Sequence, residues 1–328
     1  MGRWLGRSLN EVLSKFGVLP FAPLRLFLDA TCQITVQTSA AEAEALFALA
    51  ALDYYFRGTG HVRGGIGRLA RGLVSAIETL GGEVRFFHRV EALEAGPGGF
   101  LVRSRGGELE ARVVVANLLP QAVSSLLGKG ERRLDRLAAK VEEGWGAAML
   151  YLALPAGSLE RSSPFHLQLI QDPERPLIEG NHLFCSVSGE EETGRTPLDG
   201  RTVTVSTHVP LSKLRSLDRV RQRRYVEGIQ GRMREGLASL APEIWDRVER
   251  RWTASPRTFQ RFTGRPSGFV GGIPRRRGLG NYRDLGPRPV AGNLYLVGDS
   301  VFPGQSTLAT AIGGQRLATH LLRRYGFG

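Results

Sequence analysis

The first pair of residues that invites a chemical reading is Gly298-Asp299, which closes the compact apolar run from Asn293 to Val297. A glycine at a strand end lets a ligand approach the backbone closely. A carboxylate just beyond it accepts hydrogen bonds from the ribityl or ribose hydroxyls of a cofactor. Next comes VFPGQST, Val301 to Thr307, a Gly- and Pro-containing turn, and then a helix predicted over Thr307 to Tyr325. This order aims the unpaired N–H groups and partial positive charge of a helix N-terminus at whatever sits in the crevice, where negative charge is stabilised as it develops. The plain alternative from spacing alone is an ordinary strand, turn and helix in which Asp299 only caps.

The elements that must position these residues follow an alternating order. AAEAEALFALAALDYYF, Ala40 to Phe56, reads as a helix leading into a loop from Arg57 to Arg63. Gly64-Gly65-Ile66-Gly67 opens a helix from Arg68 to Leu80, with Leu69, Leu73, Ile77 and Leu80 at helical spacing and Gly81-Gly82 at its end. Glu83 to Val90 alternates like a strand. A hairpin-like stretch around Gly96 to Gly107 and an apolar strand from Ala111 to Ala116 come next. Helix followed by buried strand is the rhythm of an α/β layer. Between about Gly130 and Ser255 the texture shifts to strand-like runs at Ala147 to Leu154, His166 to Ile170, His182 to Val187 and Thr202 to His208. They predict a mostly antiparallel sheet, covered by a charged helix from Arg219 to Leu240 with an apolar stripe through Val220, Tyr225, Ile229, Met233 and Leu237. Arg261 to Arg288, rich in Gly, Pro and Arg, reads as a long loop.

Composition narrows the function classes. The 44 Lys+Arg against 31 Asp+Glu give a net charge of +13, which favours an acidic membrane face or nucleic acid as a partner. The arginines are scattered, and neither zinc spacing nor an aromatic-and-basic RNA motif accompanies them, so nucleic acid is not expected. Cys32 and Cys185 lack the spacing of a metal site or a disulfide framework and point to a reducing compartment. No secretory leader is read at the N-terminus, so a cytoplasmic location is expected. Phe16 to Leu28 is interrupted by Pro20, Pro23 and Arg25 and falls short of the roughly 20 apolar residues that span a bilayer. It is the best candidate for lying on a membrane, with a core helix as the alternative. His61 faces substrate or is merely exposed. His166, His182 and His208 read as satisfied polar residues of strands. Arg265 and Arg275 to Arg277 meet acidic head groups or line a solvated loop.

NLYLVGDSVFPGQSTLATAIGGQRLA, Asn293 to Ala318, resembles the C-terminal flavin-binding signature of the phytoene desaturase and carotenoid isomerase family. TASPRTFQRFTGRPSGFVGGIP, Thr253 to Pro274, is similar to the segment preceding it there. The Gly64 block and VVVANLLP, Val113 to Pro120, resemble further family elements. The resemblance implies an α/β fold, with an incomplete Rossmann-like, glutathione-reductase-type FAD lobe and an inserted α+β substrate lobe. The segments expected are 1–57 (N-terminal part of the substrate lobe), 58–128 (part of the FAD lobe), 129–254 (substrate lobe) and 255–328 (the rest of the FAD lobe). It implies FAD as cofactor, with Gly298 and Asp299 at the ribityl or pyrophosphate part and Gly304, Gln305, Ser306, Thr307 and Leu308 beside the isoalloxazine. It implies a long apolar polyene as substrate, desaturated or isomerised. Two departures stand out. The family commonly reads Gly-Gln-Gly-Thr-Pro-Gly where this chain has Gly304-Gln305-Ser306-Thr307-Leu308-Ala309. No GxGxxG follows a strand near the N-terminus, and GGIGRLARG follows a loop, so low affinity for FAD alone is expected: a separate polypeptide supplies the missing half, or the chain is a truncated gene product, or it has drifted to another role. The other readings are a non-catalytic lipid- or carotenoid-binding remnant and an amine-oxidase-like flavoprotein.

Overall fold

A computed structural model of the chain describes residues 2–58, 60, 62–160, 165–189, 192, 196 and 200–326. In chain order these form helices α1 (Leu9–Lys15), α2 (Ala22–Thr35), α3 (Ala45–Phe56) and α4 (Gly67–Thr79), then strands β1 (Val90–Gly96), β2 (Gly99–Ser104), β3 (Gly107–Ala111) and β4 (Val114–Ala116). Helices α5 (Pro120–Leu127) and α6 (Arg132–Glu142) precede strands β5 (Trp145–Leu154), β6 (His166–Ile170), β7 (His182–Val187) and β8 (Arg201–Pro210). After them come α7 (Leu211–Arg215), α8 (Arg219–Leu240), α9 (Pro242–Trp245), β9 (Arg250–Ala254), α10 (Pro256–Thr263), β10 (Pro289–Ala291), β11 (Leu294–Leu296) and α11 (Thr307–Tyr325). The chain divides into two compact units. The first comprises Met1–Ala51, Arg85–Gly144 and Phe269–Gly328, and the second Leu52–Val84 and Trp145–Gly268.

In the first unit, β1, β2 and β3 form an antiparallel meander whose register is fixed at the Gly96↔Gly99 and Ser104↔Gly107 turns. The strands that matter for the site lie in a second sheet of order β10-β11-β4, where β11 runs parallel to β4. Tyr295 and Leu294 of β11 are fully buried, Leu317 of α11 is buried, and His320 of α11 packs edge-on against Tyr295. Helix α2 buries Leu28, Ala30 and Cys32, whereas Phe16, Phe21 and Phe27 are exposed, so the apolar segment from Phe16 to Leu28 contributes only its end to the core. Burial pushes the Cys32 thiol up to about 12.

The second unit is built on an antiparallel sheet of order β6-β7-β8-β5-β9. Along β8 buried and half-buried residues alternate strictly, the period-2 signature of a strand with one face on a core. Helix α8 starts where the Asp218 carboxylate accepts from the Arg221 N–H, and it buries Val226, Ile229, Met233 and Leu237. Val220, expected in that stripe, is exposed in the first turn. Helix α4 forms where the periodicity placed it, yet none of its residues is buried, and Leu69, Leu73 and Ile77 stay exposed.

Two sequence expectations are corrected. Glu83 to Arg89 does not form a strand: Phe87 has φ +62° and is almost wholly exposed, and pairing begins only at Val90. The helix expected from Ala40 starts at Ala45, because Ala40 N donates to Asp29 Oδ1 and Ala43 forms a bridge with Arg276. His61 lies outside the described residues. No described helix is long and apolar enough to cross a membrane.

Candidate functional site

The site is assembled in the first unit from the ends of two parallel strands. β4 and β11 run in register, Leu294 beside Val114 and Leu296 beside Ala116, and Val297 N continues the ladder to Ala116 O at 3.1 Å. They therefore finish together, with Asn117 just beyond β4 and Gly298 just beyond β11, and the outer ends of adjacent parallel strands are where α/β folds bind ligands. Gly298 has φ +105°, and a Cβ there would lie 2.3 Å from Asn117 Oδ1, so only glycine fits between the strand ends. Asp299 follows, half-buried, and accepts a long 3.4 Å hydrogen bond from Ser300 Oγ.

The rest of the element is tied down by side chains of the same unit. Gln305 Nε2 donates to Ile34 O, and to Thr35 O at 3.0 Å, which caps the last turn of α2. Its amide is thus committed to holding the loop. Gly272, at φ +73°, is the contact point between Asp299 and Gln305: a Cβ there would sit 2.8 Å from Asp299 O and 2.9 Å from Gln305 Cβ. The turn before α11 contains a cis Phe302–Pro303 peptide and rests on Arg275. The Arg275 guanidinium donates through Nη2 to Val301 O at 3.2 Å and Pro303 O at 3.3 Å, and stacks over Phe47 at 5.3 Å. It is 9% exposed, and burial pushes its pKa down to about 10 against the pull of Asp284. The expectation that Arg275 reaches head groups or solvent is overturned by that burial. Its neighbour Arg276 pairs with Glu42 and Glu143 at the surface.

Ser306 and the residues after it form the open end of α11. Ser306 Oγ accepts from Ala309 N at 3.1 Å and Ser306 O from Thr310 N at 3.0 Å, while Thr307 and Leu308 are exposed and their N–H groups precede the first intrahelical bond. Ser306 has φ +105° and ψ 158°, a region that is nearly glycine-only. Replacing it by glycine is expected to stabilise the first unit by about 1 kcal/mol, because relief of backbone strain outweighs the few tenths lost with the cap. A thermal melt of Ser306→Gly with a lowered midpoint would contradict this.

Of the sequence candidates, Gly298, Asp299, Gly304, Gln305, Ser306, Thr307 and Leu308 thus lie on one continuous element. Gly304 turns towards Arg275, with its Cβ position 3.2 Å from Nη2. Asn117 and Gly272 were not singled out, and Arg275 was read only as a head-group or solvated-loop residue, not as a support of this turn. The first two sit inside stretches that carry the family resemblance, whereas Arg275 looked like any arginine of a polar loop. Of the strand histidines, His182 is buried with a ring nitrogen 3.1 Å from Gln168 Oε1, half-buried His208 packs edge-on against Trp145, and His166 is exposed and stacks on Phe184. No described cluster of His, Cys, Asp or Glu could hold a metal.

The donor set fits part of a flavin cofactor. An exposed amide, a carboxylate and an open helix N-terminus suit hydroxyls and an electron-rich ring, and Gly298 keeps the strand ends free of side-chain bulk. Among the described residues the first strand is β1, so the Gly64 block opens α4 without the preceding strand that a pyrophosphate cradle requires.

Comparison with known proteins agrees with this geometry. The family model described as flavin containing amine oxidoreductase matches residues 5–322. Prolycopene isomerase of Arabidopsis thaliana is 25% identical over 88% of this chain and 50% of its own length, and prolycopene isomerase 2 of an Oncidium hybrid cultivar is 24% identical over 99% and 56%. The chain spans about half the length of these curated relatives. Among solved structures, an oxidoreductase from Methanosarcina mazei superposes with a TM-score of 0.64 at 16% identity over 90% of this chain and 64% of that one. A fatty acid isomerase from P. acnes gives 0.52 at 10% identity over 98% and 67%. These structures share the α/β fold of flavin-dependent oxidoreductases.

Proposed function

The chain belongs to the flavin-containing amine oxidoreductase family, and from that premise we propose that it takes part in FAD-dependent isomerisation or desaturation of a long apolar polyene of the carotenoid type. The observation that carries the reading is the coincidence of Asn117, Gly298-Asp299 and the open N-terminus of α11 at the ends of two parallel strands. The prolycopene isomerases among its relatives support the substrate class.

When bound, a flavin supplies reversible hydride acceptance. The chain's own residues orient it. Asp299 accepts hydrogen bonds from hydroxyls, the N–H groups of Thr307 and Leu308 favour negative charge before the helix, and Gln305 and Arg275 keep the connecting turn in place.

A second polypeptide segment, carrying a strand and a glycine-rich turn, completes the pyrophosphate end of the site. The free edge of β4 supports this: β4 pairs only with β11 among the described strands, and Val115 and Leu118 are 44% and 43% exposed. The exposed Phe16, Phe21 and Phe27 support peripheral docking on an acidic membrane face in the cytoplasm, where a polyene would be drawn from the bilayer.

The test is flavin titration of Asp299→Ala. Hydrogen bonds to a charged group are worth about 1.5–3 kcal/mol, so flavin affinity is expected to fall between about tenfold and a hundredfold. An unchanged affinity would remove Asp299 from the site and leave a carotenoid- or lipid-binding role without flavin as the better account.

A further inference from the structure

The second unit contains a groove of about 980 Å³ between the start of α8 and helix α10. Its walls carry Arg215, Arg219 and Arg223 on one side and Arg257 and Arg261 on the other, with Glu227 as the single carboxylate. Arg223 pairs with Glu227 at 2.8 Å, whereas Arg219, Arg257 and Arg261 have no carboxylate partner among the described residues. On both helices the arginines stand four residues apart, so like charges neighbour each other along each wall, an arrangement that weakens a helix unless an anion lies between them. The floor is mixed, with buried Val226 and the Gln230 amide that donates to Ala254 O at 2.9 Å.

We propose that this groove binds the phosphate of an anionic ligand. Several planar guanidinium groups carried on two walls of one groove suit a doubly charged tetrahedral oxyanion, whereas a carboxylate is satisfied by one. The hydroxyls of Ser255 and Thr258 are already engaged in the cap of α10, which leaves the arginines as the principal donors. None of the lining residues belongs to the flavin element, so this inference stands apart from the reading of Asp299. A lipid head group and a soluble phosphate ester share the recognised chemistry. Phe262, 77% exposed with Arg261 5.5 Å from its ring, provides an apolar rim that a head group would exploit and a soluble ester would not.

The experiment compares the full chain with the triple variant Arg219→Gln, Arg257→Gln, Arg261→Gln, and with a charge-matched control, Arg132→Gln, Arg283→Gln, Arg323→Gln. Each is titrated with inorganic pyrophosphate and with vesicles of phosphatidylglycerol and phosphatidylcholine, or of phosphatidylcholine alone. The substituted arginines are exposed, and removing like-charge pairs should leave the fold intact. The expected result is binding of at least one anionic probe, weakened tenfold or more in the groove variant and less than twofold in the control. Saturable one-to-one binding of pyrophosphate assigns a soluble ester, and binding only to anionic vesicles, reduced also by Phe262→Ser, assigns a head group. Binding of neither probe, a groove variant that binds like the parent, or an equal loss in the control overturns the proposal.

Discussion

Acidification from pH 6.5 towards 4 is expected to destabilise the second unit by several kcal/mol. Burial pushes the His182 imidazole down to about 4, and burial together with neighbouring His182 pushes His208 down to about 3. In the unfolded chain both take up protons near pH 6.5. Above that pH both states are neutral and stability is flat. Below it the unfolded state binds protons that the folded state refuses, so stability falls as pH drops and levels off only below the folded-state values. For His182 alone the loss by pH 4 is about 3 kcal/mol, at about 1.4 kcal/mol per pH unit. Burial raises the Glu179 carboxyl, but hydrogen bonds from Lys213 and Tyr225 outweigh it and hold the group below the ordinary range, so its contribution is lost as pH falls from the ordinary carboxylate range through that lowered value. Unfolding midpoints measured from pH 8 to 4 should fall for the parent and flatten in His182→Gln. A midpoint that does not move between pH 6.5 and 4.5 would contradict the burial of neutral imidazoles.

Arg275→Ala is expected to cost the first unit about 3 kcal/mol and to loosen the turn before α11. The substitution strips Val301 O and Pro303 O of their donor and opens a cavity beside Phe47, and both effects are among the large destabilising mechanisms. Arg275→Met should cost less, because it fills the space and removes the burden of a desolvated charge. Urea denaturation ranks the two variants, and amide exchange over 301–306 reports the turn. An alanine variant within 1 kcal/mol of the parent would mean that the buried guanidinium is dispensable.

The sequence was most readable where a single local period dominates. Helices α8 and α11 fall on the residues that periodicity and capping select, and β6 and β7 on their predicted spans, because one buried face determines each of them. The stretch from Glu83 to Arg89 shows the limit: apolar alternation signals a strand only if a partner edge is available, and Phe86 and Phe87 instead point outward. Ala40 to Glu44 shows another. Strong helix formers are overridden there because Glu44 N is claimed by Arg275 O, while the Glu44 carboxylate accepts from Leu46 N and Phe47 N to start α3. The candidate site was legible as a motif, Gly298-Asp299 before a helix. Its supports were not, since the bonds from Gln305 to α2 and from Arg275 to the turn span 270 and 26 residues of sequence.

We propose that this chain presents the ribityl and ring portion of a flavin site and that another segment supplies the pyrophosphate portion. This division of the site is tested most directly by the visible absorbance of FAD retained through gel filtration, with the chain alone and with a polypeptide carrying a strand, a GxGxxG turn and a helix. Weak retention alone and stoichiometric retention with the complementing segment are expected. Absence of retained flavin under both conditions would contradict it.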